Sequence, residues 1–205
     1  MHAAAASIHA IGAGLAVATG RESRHAIKQV DRLLSNRGIE VEDLFEPWIR
    51  FVVAQRTELV VALDWTEFDA DGQMTLALHL ITTHGRSTAL AWRTIYKRAL
   101  ESRRSEHERE LLTLFRDALP SGVKVTVLAD RGFGSRKLYA DLQELGFDFV
   151  IRFRGRIKVT DSVSAEMRSA SEWVPSNGRA VLIPNALVTA DQSRWLPWSA
   201  QRRRP

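Results

Sequence analysis

The chain has 205 residues, with 29 Lys+Arg against 24 Asp+Glu for a formal net charge of +5, and is 45% hydrophobic and 26% charged. That balance excludes wholesale disorder and suits one domain, or a core domain with a small appendage. With zero cysteines, a disulfide scaffold, a thiolate metal site and a cysteine nucleophile are excluded, and a reducing cytosol fits.

Met1 to Gly20 is Ala-rich but broken by Ser7, His9, Gly12 and Gly14, too interrupted to cross a bilayer. Ala16-Val17-Ala18 has the look of a signal-peptidase site, yet the first arginine is Arg21, and a secretory signal carries its basic stretch ahead of the apolar one. The stretch predicts a small-residue helix, and the protein is expected in the cytoplasm with no membrane partner. Ile27, Val30 and Leu34 recur at helical spacing before the stop at Asn36-Arg37-Gly38, which predicts a helix over 24–36. Another is expected over 41–53, on an apolar face of Leu44, Phe45, Trp48 and Val52, with Pro47 near its start. Residues 1–57 thus predict an N-terminal helical region.

Leu59-Val60-Val61-Ala62-Leu63 is an apolar run ending at Asp64, and its lack of alternation predicts a central strand covered on both faces. Asp69-Ala70-Asp71-Gly72 predicts a hairpin turn into a strand over 74–82, with a further strand over 88–92. Ser105 and Glu108 have capping-box spacing at the start of a helix over 105–119, whose stripe is Leu111, Leu112, Phe115 and Ala118. Val123 to Ala129 predicts a strand ending at Asp130. Ser135 caps a helix carrying Leu138, Leu142 and Leu145 that stops at Gly146, and a strand over 147–153 follows. Three antiparallel strands leading into two crossovers describe an α/β fold: a ribonuclease-H-like mixed sheet flanked by helices, over 58–156, sharing parts with other α/β folds.

Beyond Arg156 the pattern weakens. Short strands are expected at 158–160 and 180–183 within a region 157–190, and residues 191–205 form an unpatterned tail. The positive charge is concentrated: residues 131–160 hold seven basic side chains (Arg131, Arg136, Lys137, Arg152, Arg154, Arg156 and Lys158) against three acidic ones. That stretch could form a phosphate-binding patch, although charge alone favours a solvated surface.

Asp64 and Asp130 each follow an apolar strand. If the two strands are neighbours, both carboxylates leave the sheet at one end and on one face. Hard divalent cations take such oxygen ligands, and a pair of ions can activate an attacking oxygen and stabilise a leaving one in phosphoryl transfer. An Asp after a strand is also a common turn former or helix cap, and Asp130-Arg131-Gly132 suits a turn. His79 and His84 lack zinc spacing, and Asp69 and Asp71 fit turn chemistry better than a calcium loop. Trp65, beside Asp64, is read as packing beneath the site or meeting a base.

The segments Ala62-Leu63-Asp64-Trp65-Thr66, Leu128-Ala129-Asp130-Arg131-Gly132-Phe133-Gly134 and Phe149-Val150-Ile151-Arg152-Phe153-Arg154 resemble the transposase DDE domain, and more closely the fourth family of bacterial insertion-sequence transposases. Residues His25 to Asn36 resemble that family's leading region, and the similarity covers about residues 8 to 190. The resemblance implies a ribonuclease-H-like core that binds Mg²⁺ (or Mn²⁺) through an Asp-Asp-Glu triad, cleaves a strand at an element end and joins the freed 3′ hydroxyl to target DNA. It assigns Asp64 and Asp130 to the first two acidic positions, as catalytic and metal-binding residues. It also places Arg131 and Arg152, with Arg154 and Lys158 in the same basic run, near double-stranded DNA. In that family the third acid lies in a helix bearing Tyr-x2-Arg-x3-Glu-x6-Lys after a β-rich insertion. Here the only tyrosines, Tyr96 and Tyr139, are followed at the Arg position by Ala99 and Leu142. The resemblance therefore reads 157–190 as the start of the insertion and the chain as a truncated transposase. The alternative is an inert DNA-binding or dimerising fragment. Glu166 and Glu172, weighed as substitutes for the third acid, read as surface residues.

Overall fold

The computed structural model describes residues 7–83, 85–152, 155–161, 163–177, 181–183, 186–188, 193–194 and 198–200. Two compact units divide between Leu44 and Phe45. In the first, α1 (Ile8–Thr19) and α2 (Ser23–Leu34) bury Ala16, Ala26 and Val30. The Ser7 side chain opens α1 by accepting the Ala10 amide at 3.2 Å. Gly12 lies so near Ile27 that a Cβ would stand 2.6 Å from the Ile27 Cα, so the absence of a side chain is what lets the helices meet there.

The second unit starts with α3 (Phe45–Val53). A 3₁₀ turn at Glu42–Leu44 precedes it, so the helix expected over 41–53 begins in earnest only at Phe45. Pro47 falls in the first turn, where a missing N–H breaks no helical bond. Phe45, Ile49 and Val53 recur every four residues and are all buried. Trp48 donates its Nε1–H to the Ala89 carbonyl at 2.8 Å. This helix therefore packs with the sheet.

Five strands, β1 (Glu58–Phe68), β2 (Gln73–Ile81), β3 (Ser87–Tyr96), β4 (Lys124–Ala129) and β5 (Asp148–Ile151), form one sheet in the order β3-β2-β1-β4-β5. The first three are joined antiparallel, whereas β1–β4 and β4–β5 are parallel. Parallel neighbours need a crossover, and α4 (Arg104–Ala118) and α5 (Arg136–Glu144) supply them. This is the ribonuclease-H-like mixed sheet expected from the element order. Its core joins Leu59, Val61, Leu63, Leu76, Leu78, Val125 and Val127 of the strands to Leu111, Leu112, Phe115, Leu138 and Leu142 of the helices. Each such side chain contributes about 1.5–3 kcal/mol when fully buried.

Three local expectations change. β1 does not stop at Asp64 but runs four residues further, because β2 continues to pair with it as far as Phe68. Nor is it covered on both faces: Leu59, Val61 and Leu63 are buried, while Val60 is 41% exposed. The cluster that buries the first three draws on α3, α4 and α5. No capping box forms at α4, since its N-cap is Arg103 and Glu108 is drawn into the interior.

A smaller sheet follows, in the order β10-β9-β6-β7, from β6 (Lys158–Thr160), β7 (Met167–Ser169), β9 (Leu187–Val188) and β10 (Ser193–Arg194); β8 (Val181–Ile183) pairs with β11 (Trp198–Ala200). Val159, Ala170, Ile183 and Ala186 form its small core, and Trp173 closes on it by donating Nε1–H to the Val159 carbonyl at 3.0 Å. β10 and β11 fall in the stretch where the sequence shows no pattern. No helix among the described residues is long and apolar enough to cross a membrane.

Candidate metal and DNA site

β1 and β4 run in register from Glu58 opposite Lys124 to Leu63 opposite Ala129. Asp64 and Asp130 are the next residue on each. Parallel neighbours lie about 4.8 Å apart, and in-register residues project to the same face. The pattern repeats one strand further. Ile151 pairs with Ala129, and the Arg152 amide donates to the Ala129 carbonyl at 3.1 Å. Three adjacent strands thus bring Asp64, Asp130 and Arg152 to one rim, and all three are exposed.

Asp130 also performs the turn role that its sequence context suits. It caps the 3₁₀ turn Arg131–Phe133, its Oδ1 accepting the Gly132 amide at 2.7 Å. A Cβ on Gly132 would lie 2.9 Å from that same oxygen, so glycine is what allows the carboxylate to sit over the turn. Asp64 Oδ2 accepts only a long bond from Thr66 Oγ1, at 3.4 Å. Asp64 Oδ1 and Asp130 Oδ2 are not spent on hydrogen bonds to the described residues. Two solvent-facing carboxylates with oxygens to spare suit a hard divalent ion.

Arg131 opens the turn beside Asp130 and is exposed, as are Arg136 and Lys137 at the start of α5. Lys158 belongs instead to β6 in the smaller sheet. Arg154 lies outside the described residues, as does His84. Glu166 pairs with Arg168, and Glu172 accepts the Ser169 amide at 2.6 Å. Among the described residues no group of three or more His, Asp or Glu is placed to hold a metal ion. His79 is half-buried within β2, and Asp69 bonds to Lys97 at the hairpin.

Sequence reasoning missed what surrounds Trp65. Its Nε1–H donates to Glu108 Oε1 at 3.0 Å, and the Arg104 guanidinium lies over its ring, 5.5 Å from the centroid. Glu108 is only 6% exposed, and that burial pushes its carboxyl above the usual range against the pull of the Trp65 hydrogen bond. The available signal was its spacing, three and four residues before Leu111 and Leu112, which puts a charged side chain on the helix's buried stripe.

Residues 55–192, more than half of the chain, match the family described as the transposase DDE domain. The chain belongs to that family. Transposases of this kind act on DNA and as a family use a divalent metal. No curated protein matches the chain. Among solved structures, the Argonaute of Marinitoga piezophila in complex with a 5′ OH guide RNA is similar at 11% identity and a TM-score of 0.29. That alignment covers 59% of this chain and 19% of the Argonaute, so this chain spans about a fifth of that protein's length.

Proposed function

We propose that this transposase-family chain serves DNA transposition by metal-dependent strand cleavage and strand transfer, with Asp64 and Asp130 as the carboxylates that hold Mg²⁺ or Mn²⁺. The observation that carries the reading is their register: each follows the last paired residue, Leu63 or Ala129, of neighbouring parallel strands. A bound ion supplies an activated oxygen nucleophile and stabilises the leaving oxygen of the phosphodiester. The chain's part is to hold the two carboxylates at one rim, with Gly132 fixing Asp130 over its turn. Arg152, just past the end of β5, and Arg131 neutralise and position the DNA backbone beside them, as bidentate guanidinium groups do well. Arg154 and Lys158 extend the same basic run towards DNA.

The test is strand cleavage on duplex DNA carrying element ends. Asp64→Ala or Asp130→Ala is expected to abolish Mg²⁺-dependent cleavage while DNA binding persists, and retained cleavage in either variant removes the assignment. A second reading, a catalytically inert DNA-binding or dimerising member of the family, is favoured by the lack of a third carboxylate at the pair among the described residues. Robust Mg²⁺-dependent cleavage by the wild-type chain excludes it.

A further inference from the structure

β1 changes its support at Asp64. Up to Leu63 the strand is laddered on both sides, to β2 and to β4, but from Asp64 to Phe68 its register continues with β2 alone. β4 ends at Ala129, and Asp130 turns into its 3₁₀ cap. Among the described residues, the backbone that carries Asp64 therefore has no paired strand on the Asp130 side, just where the two carboxylates must keep a fixed separation. One laddered edge leaves such a segment free to open locally.

Something else holds it. Trp65, next to Asp64, points to the helix side of the sheet and packs against the main core. Its indole N–H is bonded to Glu108 at 3.0 Å, and its ring lies under the Arg104 guanidinium. Arg104 and Glu108 stand one turn apart at the start of α4, so a single helical turn holds the indole by its face and by its polar edge. Arg104 is itself tied to β2 through a 3.3 Å contact from Nη2 to Met74 Sδ. A buried carboxylate is costly unless it is hydrogen-bonded, and this one is directed at an indole N–H instead of capping its own helix.

We propose that Glu108 is a positioning residue that acts through Trp65, replacing the missing β4 ladder and fixing the Asp64 backbone relative to Asp130. This deepens the metal-pair reading above and rests on it for its purpose. The clamp itself is a claim about the protein without any ion.

Hydrogen exchange on the full chain tests it, comparing amides of residues 64–68 with those of residues 59–63. Glu108→Ala is expected to speed exchange of 64–68 roughly tenfold while 59–63 stays protected, the scale of one lost charge-assisted hydrogen bond. Trp65→Phe, which keeps the ring and deletes the N–H, should do the same. Glu108→Gln, whose Oε1 still accepts, should restore wild-type protection. Leu142→Ala, a core truncation in α5, serves as the control for general destabilisation and should move both segments together. Unchanged exchange of 64–68 in Glu108→Ala, or a rise shared equally with 59–63 as in the control, overturns the proposal. A Mn²⁺ titration followed by electron paramagnetic resonance adds the link to the site: Glu108→Ala should weaken binding roughly tenfold, as losing a supporting residue behind a ligand does. Wild-type chain that binds no Mn²⁺ sinks the metal-pair reading and the purpose of the clamp with it. Mn²⁺ bound equally by wild type and Glu108→Ala sinks only the proposal made here.

Discussion

The two faces of β1 have opposite characters. On one, Leu59, Val61 and Leu63 are no more than 3% exposed and meet the helices, while on the other Val60 is 41% exposed and Asp64 faces solvent. The carboxylates nearest the strand divide in the same way. Asp64 keeps an oxygen open to solvent, whereas Glu108, on the packed side, is bonded to Trp65 and has its proton affinity raised by burial. One strand therefore carries stability on one face and leaves a carboxylate open on the other, because a side chain committed to packing cannot also stay accessible.

Mutation can break or sharpen this contrast. The largest effect is expected for Phe115→Ala on the packed side, a loss of about 3–5 kcal/mol in denaturant unfolding. Asp64→Ala should stay within about 0.5 kcal/mol of wild type in the same measurement, and a loss as large as that of Phe115→Ala would erase the distinction. Gly132→Ala comes next. The new Cβ would crowd Asp130 Oδ1, so thermal melting should show a loss of roughly 1–3 kcal/mol, and Mn²⁺ binding should weaken. An unchanged melting curve would show that the turn gives way freely.

A smaller effect, with a definite sign, concerns pH. Burial raises the folded Glu108 carboxyl above its ordinary pKa of 4.5, so between the unfolded and folded values the native state holds more protons. Stability from this group is then present below the unfolded pKa and is lost as pH rises through the folded one. The melting temperature of wild type relative to Glu108→Gln should accordingly fall as pH rises above the ordinary carboxyl range. A gap that stays flat or moves the other way would mean that the carboxyl is not desolvated. Smallest of all, Val150→Thr on the open face, where Val150 is 62% exposed, should change stability by less than about 0.5 kcal/mol.

Much of the main sheet was legible without coordinates. The apolar runs at Leu59–Leu63 and Val123–Ala129, the turn at Asp69–Gly72, the Ser135 cap and the stop at Gly146 are local signals, and the elements they predict all form. The pair Asp64 and Asp130 could be named for the same reason, since a polar residue after an apolar strand is visible in the chain itself. Short-range chemistry was enough to list these parts.

Their arrangement was not written in any one segment. An apolar run does not say whether one or both of its faces will be covered, which is why Val60 was expected inside and stands exposed. Where β1 would end depended on how far β2 keeps pairing with it, and the pairing of Ser193–Arg194 and Trp198–Ala200 has no periodicity to announce it. Glu108 had the spacing of a capping residue, yet Trp65, 43 positions earlier, claims it. Sequence by itself determined which residues form strands, helices and turns, because those preferences are set by neighbours a few positions away. Only the tertiary structure decided which carboxylate was left open and which was buried, because that depends on which distant element packs against each face.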